Sequence, residues 1–85
     1  MATYKILYWQ EVPSQIRVED ASDDLTVSLP EKFQERIDLL AAQRGLSDAD
    51  DYLAQWQWGD EQDRDGTAQE VADAVRAELE AAADW

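Results

Sequence analysis

Twenty of the 85 residues are carboxylates, 12 Asp and 8 Glu, so acid–base and metal chemistry are the first to weigh. Carboxylate pairs occur at every spacing, and spacing alone singles out no general acid or base. A catalytic carboxylate needs burial to raise its pKa, yet every acid falls in a segment that reads as turn, cap or solvated face. Histidine and cysteine are absent. Their absence removes Cys–His and Ser–His–Asp nucleophiles, imidazole and thiolate metal sites, and disulfides. Ser14, Ser22, Ser28 and Ser47 have no base to activate them, and Gly45, Gly59 and Gly66 are isolated rather than gathered in a phosphate-cradling loop. Asp63-x-Asp65-Gly66 is similar to the middle of a calcium loop. Registering that loop on Gly66 puts the closing ligand on Ala72 and the first on Glu61, so an acidic turn is the better reading. The sequence therefore predicts no catalytic residue, no cofactor and no metal site.

Recognition chemistry is better represented. Trp9, Trp56, Trp58 and Trp85 stand beside Tyr4, Tyr8, Tyr52 and Phe33 in one small chain. Tyr8, Phe33 and Trp56 fall in phase with other apolar positions and read as core. Trp58 follows Trp56 by two residues, about 200° around a helix axis. Either the helix ends by Trp56 or one indole is exposed. Trp9 is opposite in pleat to Tyr8 and next to the Pro13 turn, so its side is equally open. Exposed tryptophans are costly in a monomer and frequent at binding hot spots. The expected docking surface joins Trp9, Gln10, Glu11 and Pro13 to Trp58, with Pro13 stiffening the turn and lowering the entropy lost on binding.

The elements that must position these residues divide into a β half and an α half. Tyr4 to Trp9 reads as a central strand with apolar residues on both faces. Pro13 interrupts the run, because it has no N–H for a ladder bond. Ile16 and Val18 then mark a second strand, and Leu25, Val27 and Leu29 a third, with a polar turn over residues 21–24 between them. Ser28-Leu29-Pro30-Glu31 reads as a capping box opening a helix with Phe33, Ile37, Leu40 and Ala41 on its apolar face. Gly45 closes that helix with Leu46 folding back. Ser47-Asp48-Ala49-Asp50 opens a shorter one carrying Tyr52, Leu53 and Trp56 inward. Thr67-Ala68-Gln69-Glu70 caps a third, running to Trp85 through Val71, Val75 and Leu79. The expected fold is α+β: a three-stranded antiparallel meander packed on two helices plus a C-terminal helix. Its division is a core over residues 1–58, an acidic loop over 59–66 and a helix of the same domain over 67–85.

The net charge of −13 makes nucleic acid and anionic lipid poor partners. No apolar run approaches the roughly 18 residues of a membrane span, and no basic-then-apolar leader opens the chain, so a cytoplasmic protein is expected. Only Lys5 and Lys32 supply lysine, and the acids are spread along the whole chain. That pattern favours solvation in a salt-rich, halophilic cytoplasm over an acidic face that docks a basic partner.

Tyr8-Trp9-Gln10-Glu11-Val12-Pro13-Ser14-Gln15-Ile16, the stretch Leu29 to Leu40, and Arg44-Gly45-Leu46-Ser47 with Tyr52-Leu53 and Trp56 carry a resemblance. Over roughly residues 4–58 the chain resembles the small "virulence factor" domain of prokaryotes, a module also found in conserved virulence factor C proteins. In that family's pattern an arginine followed by an acid succeeds Tyr-Trp; here Gln10 and Glu11 stand there. The family name implies a loss-of-virulence phenotype, not a mechanism. The resemblance implies an alternative role as accessory subunit of a folate or corrinoid one-carbon enzyme system, since family members are encoded near such genes. The expected function is a non-catalytic interaction module that binds a partner protein through an aromatic patch. A self-assembling structural module is the other alternative.

Overall fold

Alternating apolar residues produce strands only when one face has something to pack on, and two helices supply it. The computed structural model describes residues 1–83. In chain order its elements are β1 (Ala2–Trp9), β2 (Val12–Glu19), β3 (Asp24–Ser28), α1 (Glu31–Gln43), α2 (Ala49–Ala54), β4 (Trp56–Trp58), β5 (Gln62–Arg64) and α3 (Ala68–Ala82). The strands form one antiparallel sheet in the order β3-β2-β1-β4, with β5 also pairing with β1. The protein is an α+β domain in which β1 is central. The cross-strand neighbours Ile6 and Ile16 are buried, as is Val18, while Leu25 and Val27 are packed against them. Phe33, Ile37, Leu40 and Ala41 of α1, with Ala68, Val71, Ala72 and Val75 of α3, complete the core. Among the described residues, no helix is long and apolar enough to cross a membrane.

The meander has two more strands than the three expected. Trp56 was expected inside the second helix; instead α2 ends at Ala54, and Trp56-Gln57-Trp58 pairs with Leu7-Tyr8-Trp9. Six residues are too few to hold a helix by themselves, and an aromatic-rich triplet fits a pleated surface. Leu53, expected inward, is 63% exposed. The supposed acidic loop over residues 59–66 contains β5, which pairs Gln62–Arg64 with Ala2–Tyr4. Backbone pairing there needs no apolar side chain, so hydropathy gave no sign of it.

The helix ends also differ from expectation at two of three starts. Ser28 is a ladder residue opposite Gln15, so its hydroxyl caps nothing and Pro30 is the N-cap of α1 without a side-chain bond. Asp48, not Ser47, is the N-cap of α2, again without a side-chain bond. The third start has its capping box, with Thr67 Oγ1 accepting from the Glu70 N–H and Glu70 Oε1 accepting from the Thr67 N–H. Asp20, in the β2–β3 turn, reinforces it by accepting from the Ala68 N–H at 2.7 Å as well as from Ser22 and Asp23. At the end of α1, Gly45 takes φ +69°, with Leu46 N–H donating to the Ala41 carbonyl and Gly45 N–H to that of Ala42. The last two residues of the expected third helix, Asp84 and Trp85, lie outside the described residues.

Candidate functional site

The β1–β2 hairpin and the strand beside it place the expected docking residues. The chain turns through Gln10 and Glu11, with Trp9 opposite Val12. Gln10 has φ +54°, a left-handed conformation that L side chains adopt at a cost. Its surroundings hold it there. The Gln10 amide nitrogen donates to Gln55 Oε1 at 3.0 Å, its backbone N–H donates to the Gln55 carbonyl at 3.3 Å, and Arg44 donates to Gln10 Oε1. The same guanidinium grips Glu11 with two bonds of 2.6 and 3.0 Å. That contact holds the Glu11 carboxyl below its ordinary range. Arg44 reaches the hairpin from the end of α1.

Two of the five expected residues are not on the surface. Trp9 is 0% exposed. Its indole N–H donates to the Tyr52 carbonyl at 3.0 Å, and its ring lies 5.6 Å from that of Tyr52, which meets Trp56 edge-on at 6.0 Å. The pleat argument correctly leaves Trp9 facing away from Tyr8; what it could not show is that Tyr52 of α2 returns to cover that side. Pro13 is likewise buried, inside β2 rather than in a turn. The register slips beside it: Leu7 faces Gln15 and Tyr8 faces Pro13, leaving Ser14 as a bulge. A bulge is where a strand tolerates a residue without N–H.

Gln10 and Trp58 are brought together. They line a cleft of about 240 Å³ with Tyr8, Gln57, Gly59 and Asp60. The chain can run along the Tyr8 ring because Gly59 has no side chain: a Cβ there would stand 3.3 Å from Tyr8 Cε2, while the Gly59 N–H donates to the Ile6 carbonyl at 2.8 Å. Glu11 and Pro13 line a second cleft of about 210 Å³ with Tyr8, Phe33, Leu79, Ala82 and Ala83. Tyr8, assigned to the core by its phase, is half-buried and borders both clefts. Arg44 escaped the sequence reading as well; its only signal was a basic residue just before the helix-ending glycine.

Trp58 itself is 42% exposed. It pairs with Leu7, and Leu7 pairs with Gln15, so all three share the sheet face that also carries Lys5, Arg17 and Thr26. The buried Ile6 and Ile16 point the other way, toward α1 and α3. The Lys5 ammonium sits 5.0 Å from the centre of the Trp58 ring. The open face is thus an apolar centre, Leu7 and Trp58, flanked by polar and cationic side chains.

The family model described as "Virulence factor" matches residues 7–84. Its span extends beyond the stretch in which the resemblance was legible and takes in α3. No curated protein matches the chain, and no solved structure does. With that match over most of its length, the chain belongs to the virulence factor family.

Proposed function

We propose that the domain is a non-catalytic accessory module that binds a partner protein on the open sheet face around Trp58. The observation that carries this reading is Trp58 itself: a large indole, 42% exposed beside Leu7 on the face opposite the helices. Apolar aromatic surface left in water on an ordered strand is the usual material of a hot spot. Three carboxylates, Glu11, Asp20 and Glu78, are held toward their ionised forms by Arg44, by backbone N–H groups and by Arg64 respectively, the opposite of the shift a general acid needs. The remaining acidic surface we read as adaptation to a salt-rich cytoplasm.

The test is affinity capture from the native host at its own salt concentration, with the wild type and Trp58→Ala as paired baits. The expected result is a partner retained by the wild type and lost by the variant, with both baits melting at the same temperature. Equal capture by the two baits would remove Trp58 from the interface and overturn the reading.

A further inference from the structure

We infer that the group seated on Trp58 is a guanidinium, presented by an arginine-bearing basic segment of the partner. This inference rests on the interaction reading above and specifies its chemistry. The first argument is charge: even where salt screens the long-range field, a chain at −13 favours cationic groups over acidic ones at contact distance.

The second argument is local. The Trp58 ring already carries a cation, because Lys5 lies over it at 5.0 Å. Among the described residues Lys5 has no carboxylate partner, so the indole holds the ammonium by its π face alone. Guanidinium is planar and more weakly hydrated than ammonium and stacks better on an indole. An arginine can therefore displace Lys5, which acts as a placeholder. Beyond Trp58 come Asp60, Glu61 and Asp63, all exposed and all without an ion-pair partner among the described residues. Asp63 faces Thr3 in the β1–β5 ladder and so shares the face that bears Lys5. The adjoining cleft, lined by Tyr8, Gln10, Gln57, Trp58, Gly59 and Asp60, contains no cationic side chain; the Gln10 amide oxygen is taken by Arg44, and the Gln57 amide is left as a further acceptor. A guanidinium stacked on Trp58 has Asp60 on the wall of the same cleft, while Asp63 lies opposite Thr3, four residues along β1 from the Trp58 rung and on the far side of Lys5.

The experiment titrates the ¹⁵N-labelled 85-residue chain with a blocked Gly-Arg-Gly-Arg-Gly peptide and with its citrulline counterpart, which keeps the shape and loses the charge. The expected result is saturable shifts centred on the Trp58 indole N–H and the Gly59 amide, with the citrulline peptide at least ~10-fold weaker. Lys5→Gln should tighten arginine binding by ~3-fold or more, whereas Lys32→Gln, the same charge change on α1, should alter it less than ~2-fold. Asp60→Asn should weaken it. Equal affinity for both peptides overturns the inference, as do shifts scattered over the acids of α1 and α3 or equal effects of the two lysine variants. Failure here is separable from failure of the broader reading. If Trp58→Ala loses a captured partner while both peptides bind alike, the module stands and the arginine does not. If neither capture nor titration responds to Trp58→Ala, both fall.

Discussion

Two rungs of one ladder, separated by the Tyr8–Gln57 pair, have opposite fates. Trp9 faces Trp56, and two residues along Leu7 faces Trp58. All four side chains project from the same face of the sheet. At the first rung Tyr52 comes down from α2, takes the Trp9 indole N–H on its carbonyl, and leaves Trp9 with no exposure. At the second rung the cover has ended, and Trp58 keeps 42% of its surface. Strand phase is identical for the two; what differs is whether a short helix reaches over. Exposure of an indole here is a property of the α2 connection, not of the strand that bears it. The closed rung is also bolted at the hairpin tip by Gln10 to Gln55 and by Arg44 to Glu11.

The sharpest way to break that comparison is at the closed rung. Trp9→Ala should cost ~3–5 kcal/mol, since it leaves an indole-sized cavity and removes the indole bond to the Tyr52 carbonyl, which keeps only the Gln55 N–H. Chemical denaturation read by far-UV circular dichroism measures it. A cost below ~1 kcal/mol would mean the closed rung is not the core it looks to be.

Salt should act next most strongly, and on the whole molecule. With a charge of −13 spread over one small surface, screening removes self-repulsion, and the melting temperature should rise from about 0.1 M to 2 M KCl. Binding of a basic segment should weaken over the same range. Stability that ignores salt would return the acidic excess to a docking role.

The hairpin tip gives two smaller effects. Gln10→Ala and Gln10→Gly lose the same side-chain bonds, but only alanine retains the cost of a positive φ. The glycine variant should therefore be the more stable of the two by about 1 kcal/mol. Equal stabilities would argue that the turn relaxes once the side chain is gone. Acid should loosen the same tip. The Glu11 carboxyl titrates lower in the folded chain than in the unfolded one because Arg44 donates to it. Its contribution is therefore complete above the unfolded carboxylate pKa of about 4.3 and is lost as pH falls through the folded value. Amide protection at residues 10 and 11, taken relative to the intrinsic exchange rate at each pH, should fall on acidification in the wild type but not in Glu11→Gln, with the Trp58 rung indifferent in both.

The α+β class, the apolar face of α1, the glycine turn after it and the Thr67 capping box were legible because each follows from local chemistry. Phe33, Ile37, Leu40 and Ala41 repeat at the helical period, and Gly45 alone relaxes readily at φ +69°. Where the reading failed, the deciding partner was distant in sequence. Trp56 and Trp58 look helical until Trp9 and Leu7 offer them a ladder, and Gln62–Arg64 has no apolar pattern to betray a strand. Of the residues expected to dock a partner, Trp58 was placed on the surface by an argument about helix phase, although it belongs to a strand. Trp9 was misplaced because nothing near residue 9 reveals that Tyr52 returns to it. Arg44 was missed for the same reason, its partners being more than thirty residues upstream.

The smallest expected effect concerns the open rung, and it matters most for function. Trp58→Ala removes a half-exposed ring at the end of a three-residue strand, leaving the Leu7 pairing and the Gly59 bond to Ile6 in place. Its contact with Lys5 is solvent-accessible and contributes ~0.5 kcal/mol at such sites. Part of that is offset because alanine no longer exposes apolar surface. The net change in stability should stay below ~1 kcal/mol, several times less than at Trp9. A double-mutant cycle with Lys5→Met isolates the ring–ammonium contact, which should shrink little with salt, because it lies at contact distance. A loss above ~2 kcal/mol at Trp58 would show that the indole is held for the fold's sake. The two rungs would then differ in degree only, and the free face would have no claim to a partner.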